Sequence, residues 1–146
     1  MGVNKFTISP ELDKNSISTL CNNCYLPSEL IVYGKIPLLN MNYCLLGETD
    51  KCYPNCKQRC LSNNVYFLKD RLNTNFRILP DNIQTVTTVF NSKTLSILPS
   101  LFNTNNLRVD ILDETIDEIN NIFDTVISEK RFEGKDFTNG NLNREI

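Results

Sequence analysis

Histidine is missing from all 146 residues. No serine or cysteine of this chain can therefore draw on an imidazole base of its own, and a metal would have to take thiolate or oxygen ligands. General acid–base work falls to carboxylate, lysine, tyrosine or thiol. The opening "MGVNKFTISPELDK" lacks the basic and apolar regions of a signal peptide. No apolar run reaches the length of a membrane span. The expectation is a cytoplasmic protein with no membrane association, in a compartment where thiols persist and disulfides do not. Internal repeats and low-complexity tracts are also absent.

What is there fits a single domain over residues 1–146, with 40% hydrophobic and 22% charged residues, values typical of globular proteins. A net charge of −2 argues against nucleic-acid binding through overall positive charge. The charge is segregated, however. Residues 51–77 hold six bases against one acid, Asp70, and residues 110–136 hold nine acids against three bases. That division reads either as solvated faces of opposite sign or as an anion site.

"KFTIS" predicts a short strand stopped by Pro10. Ile17, Leu20, Cys21 and Cys24 recur as one apolar helix face. "ELIVYG" is a continuous apolar run ended by glycine, the pattern of a strand buried on both faces. "VYFLKDRLNTNFRIL" predicts a β-hairpin over residues 65–79, and "TVTTVF" another strand. "KTLSILPSLF" predicts a short helix broken at Pro99, and "LRVDIL" a strand with Leu107, Val109 and Ile111 on one side. Thr115 and Glu118 form a capping-box pattern ahead of a helix faced by Ile116, Ile119, Phe123 and Val126. Alternating strands and helices imply an α/β fold with a mostly parallel sheet. With about four core strands it amounts to a partial TIM-barrel-like (β/α) unit, carrying an inserted cysteine loop and hairpin. Open sheet edges in such a unit suggest a fragment, a truncated copy or one part of an assembly.

Four of the six cysteines fall in "YCLLGETDKCYPNCKQRC", spaced Cys44-x7-Cys52-x3-Cys56-x3-Cys60 within the loop at 43–60. Four thiolates so close can reach one centre and meet the ligand count of an iron–sulfur cluster. Zinc also accepts four cysteines, although the x7 interval does not resemble a pair of knuckles. The plain alternative is small buried apolar residues. Cys21 and Cys24 form a C-x-x-C whose place on a helical apolar face favours core packing.

The segments "TISPELDKNSISTL", "ELIVYGKIPLLNMNYCLLG", "YFLKDR", "FNSKTL", "LRVDILDET" and "FTNGNLNREI", with the cysteines between them, follow the order seen in the collagenase-like peptidase family (peptidase family U-thirty-two). The resemblance covers nearly the whole chain. It implies the later part of a TIM-barrel-like catalytic domain. It also implies a lineage labelled as peptidases, with members acting in tRNA or ribosomal RNA hydroxylation or in quinone hydroxylation, several on an iron–sulfur cluster. By the same resemblance Cys44 is a metal ligand, and Cys52, Cys56 and Cys60 compete for the remaining places. Many relatives carry a further cysteine before "NSK", where this chain has Thr85.

In β/α barrels functional groups lie at the C-terminal ends of strands. Those ends carry Asn40, Tyr43 and Cys44, then Asn91, Ser92 and Lys93, then Asp110 and Asp113. Lys69 and Arg71 add cations suited to phosphate or carboxylate, and Arg144 beside Gly140 suggests an anion nest. Each has a structural alternative: Asn91, Ser92 or Asp113 as helix caps, and Asp70–Arg71 as an ion pair. The expected partners are RNA or a small anionic substrate, and a second chain that completes the barrel. The competing expectation is a non-catalytic, metal-stapled half-barrel that assembles with a partner.

Overall fold

A computed structural model describes residues 2–49, 55–62, 64–81 and 83–143. Its elements are β1 (Phe6–Thr7), α1 (Lys14–Asn23), β2 (Ser28–Met41), α2 (Leu45–Thr49), β3 (Tyr66–Lys69), β4 (Asn75–Asp81), β5 (Val86–Ser96), β6 (Asn106–Val109), α3 (Ile116–Ile127) and β7 (Phe137–Thr138). Short 3-10 turns lie at Arg59–Leu61 and Pro99–Leu101. The fold is α/β with a mixed seven-stranded sheet, whose order is β1-β2-β5-β4-β3 with β6 on β2 and β7 on β5. Its path ends in β1 and β3 and does not close on itself. Among the described residues no helix is long and apolar enough to cross a membrane.

The chain divides into two compact units, one of Met1–Lys35 with Lys93–Ile146 and one of Ile36–Ser92. In the first unit the pairing is parallel: Phe6 opposite Ser28, Leu30 opposite Leu107, Thr94 opposite Phe137. Its core is Ile8, Ile17, Leu30, Val32, Leu95, Ile97 and Ile122, the apolar residues that the strand and helix periods place inward. Asp13 caps α1, accepting the amides of Asn15 and Ser16 at 2.8 and 3.1 Å. Those bonds hold its carboxyl below the usual range, the Ser16 hydroxyl bond at 2.5 Å being the largest cause. In the second unit the pairing is antiparallel, with Leu68 opposite Phe76 and Leu79 opposite Thr88.

Several expectations change on inspection. The helix predicted over "KTLSILPSLF" is the end of β5 followed by the 3-10 turn at Pro99–Leu101. Thr94, Leu95, Ser96 and Ile97 are all buried there, and a buried strand and a buried helical segment look alike in so short an apolar run. β2 does not stop at Gly34 but continues to Met41. In α3 the capping box forms, with Glu118 N donating to Thr115 Oγ1 at 3.4 Å and Thr115 N to Glu118 Oε2 at 2.7 Å. Its inward face, however, is centred on buried Ile122, while Ile116 and Phe123 are exposed. In β6, Leu107 is exposed although its register partner Leu30 is buried, and Ile111 lies beyond the strand, also exposed.

Candidate functional site

β2 and α2 place Tyr43 and Cys44 in the bend between them. Cys44 is half-buried and its carbonyl accepts Gly47 N at 3.0 Å, starting the turn of α2. The Tyr43 carbonyl accepts the hydroxyl of fully buried Thr87 in β5 at 2.7 Å, and Thr88 Oγ1 donates to Asn40 Oδ1 at 2.8 Å. The first residues of β5 thus lie against the Tyr43–Cys44 bend. Thr85, where the resemblance expects a cysteine, heads that strand in a left-handed conformation (φ 53°), strained for a β-branched residue.

Cys56 is exposed in the following loop, and Cys60 is half-buried in the 3-10 turn Arg59–Leu61. That turn is tied to β3: Tyr66 Oη and Ser62 Oγ both donate to the Arg59 carbonyl, at 2.9 and 2.6 Å. Cys52 lies outside the described residues, as does Arg144. Cys21, Cys24, Cys44, Cys56 and Cys60 are thiols rather than disulfides. The donor chemistry suits iron–sulfur or zinc binding, but among the described residues no three Cys, Asp or Glu side chains gather closely enough to hold a metal ion.

The other candidates separate. Lys69 and Arg71 are exposed on the hairpin, and Asp70 is a turn residue: its Oδ1 accepts the amides of Leu72 and Thr74, both at 2.8 Å. Asn91, Ser92 and Lys93 lie inside β5, not at its end, so none of them caps a helix. Asp110 follows β6 and receives Arg108 Nε at 2.5 Å, with its own amide donating to the Tyr33 carbonyl at 2.9 Å. Asp113 does not cap α3, since Thr115 takes that place.

Sequence reasoning missed the group around Tyr33, Lys35 and Glu114. Buried Tyr33 donates its hydroxyl to Glu114 Oε1 at 3.3 Å, while Glu114 Oε2 accepts the amides of Leu112 and Asp113 at 2.7 and 3.1 Å. Burial, then the neighbouring Glu114 charge, pushes the Tyr33 phenol up to about 12. Burial pulls the Lys35 ammonium below its usual range, against the opposing charges of Glu114, Asp136 and Asp113. The signal was available: a tyrosine inside a buried run needs a partner for its hydroxyl.

No family model, curated protein or solved structure matches this chain.

Proposed function

We propose that the chain is the later part of a barrel of the collagenase-like peptidase family, in the branch whose members hold an iron–sulfur cluster and hydroxylate RNA bases. One observation carries the reading. The Thr87 hydroxyl holds the Tyr43 carbonyl at 2.7 Å, which sets the strand headed by Thr85 against the bend bearing Cys44. Those are the two places where the resemblance puts cluster cysteines. Strain at Thr85 marks the same spot. Cys44 with Cys52, Cys56 and Cys60 would supply the four thiolate ligands. The exposed cations Lys69 and Arg71 suit a phosphate-bearing substrate. Peptidase activity is the weaker form of the reading, since a chain without histidine offers no imidazole-activated nucleophile.

A second reading has its own observation. The unit Ile36–Ser92 leaves Leu38, Leu39, Phe67 and Leu68 exposed, at 54%, 52%, 56% and 45%. Exposed apolar side chains of this number favour a half-barrel completed by a partner chain, whether metal-stapled or degenerate.

Anaerobic purification, visible spectroscopy and iron, sulfide and zinc analysis separate the two. Iron and sulfide in comparable amounts, with broad visible absorption, support the first reading. One zinc in a colourless protein favours the second. Metal-free protein with every thiol open to alkylation overturns both metal assignments.

A further inference from the structure

A polar cavity lies in the unit that carries none of Cys44, Cys52, Cys56 and Cys60. Its volume is about 330 Å³, and its lining includes Ser96, Arg131, Glu133, Thr138 and Asn139 over the Phe132 and Phe137 rings. Those rings stack with centroids 5.3 Å apart, and Phe132 also meets the edge of Tyr33 at 5.7 Å, so the floor is fixed. Gly134, at φ +125°, turns the chain at the rim with nothing within 4 Å of the place a Cβ would occupy.

The hydroxyls are arranged alike. Ser96 is 4% exposed, and its Oγ accepts the Phe132 amide at 2.8 Å. Thr138 Oγ1 accepts the Gly140 amide at 3.2 Å. Each hydroxyl has thus spent a lone pair on the backbone and keeps its proton, for which no acceptor stands among the described residues. The Asn139 amide adds a further donor group. The Arg131 fork reaches Glu133 Oε1 through Nε and Nη2 at 2.9 and 2.6 Å, leaving Nη1 outside that pair. The one carboxylate in the lining, Glu133, is on Arg131.

We propose that this cavity binds a small oxyanion, a carboxylate or phosphate group of a small metabolite. The Ser96 and Thr138 hydroxyls and Arg131 would donate to it, with Glu133 competing for the guanidinium. This differs from the nest that the sequence suggested at Gly140, because the Gly140 amide is already taken by Thr138.

The test is nitrogen-edited NMR on the full chain, titrated with inorganic phosphate and, separately, acetate at constant ionic strength set by sodium chloride. Saturable shifts at Phe132, Gly134 and Asn139 are expected. Arg131→Gln should weaken binding about tenfold, the scale of one charge-assisted hydrogen bond. Glu133→Gln should tighten it several-fold by releasing Arg131. A stronger response to phosphate or to acetate identifies which oxyanion the cavity prefers. Absence of saturation overturns the proposal. So do shifts that track Lys57 and Arg59 equally and survive Arg131→Gln, and so does weaker binding in Glu133→Gln. Both substitutions are at exposed positions, so folding does not confound the result.

Discussion

The hydroxyl of Thr87 lies 2.7 Å from the carbonyl oxygen of Tyr43, and Thr87 has no exposed surface. The bend that carries Cys44 is therefore fixed by a residue of a different strand. Thr87→Val keeps the volume and removes the donor, so it should cost about 1–2 kcal/mol in urea unfolding. The same change should quicken alkylation of Cys44, followed by mass spectrometry. Unchanged alkylation would mean the bend is held by other contacts.

Gly34 makes room for Asp110. A Cβ there would sit 2.7 Å from Asp110 Cβ and 2.8 Å from its carbonyl, at a backbone φ of +141°. Gly34→Ala should therefore lower stability by about 2 kcal/mol or more, strain and overpacking acting together. Circular dichroism during denaturation reads the loss.

Thr85 should behave in the opposite way. Its left-handed φ of 53° suits asparagine or glycine better than a β-branched side chain. Thr85→Asn should raise stability by about 1 kcal/mol. A fall instead would show that the Thr85 hydroxyl bond to the Gln84 carbonyl, at 2.7 Å, outweighs the strain.

Tyr33 predicts an alkaline transition. Its phenol is raised in the fold to about 12, above its ordinary value of 10.0. The neutral phenol therefore contributes stability fully below about pH 10, and that contribution fades as pH climbs toward 12. Tyr33→Phe should flatten the urea midpoint across that window and remove one late-ionising phenol from the tyrosinate absorbance titration.

The orientation of α3 is testable by contrast. Ile122 is 2% exposed and Ile116 77%. Ile122→Ala should cost about 2–5 kcal/mol, and Ile116→Ala should change stability by less than about 0.5 kcal/mol.

Local signals carried much of this fold. The cap at Thr115, the hairpin around Asp70 and the buried run before Gly34 each depend on residues close in sequence, and all are found. Burial direction depends on distant partners, which is why the helical period puts Phe123 inward while the structure buries Ile122. The stretch after Val89 fits strand then helix as well as strand throughout, because a short apolar run suits both periods, and the pairing with β7 decides. Among site residues, Cys44 was marked by its chemistry. For Tyr33 the sequence offers only the need of a buried tyrosine for a hydroxyl partner, and that partner, Glu114, lies 81 residues further along the chain.

Asn91 and Ser92 sit next to each other in the middle of β5. A strand sends neighbouring side chains to opposite faces of its sheet. Two adjacent letters that invite being read as one recognition element are therefore back to back. A ligand held by Asn91 cannot also be held by Ser92, and substituting the two together would disturb two separate environments.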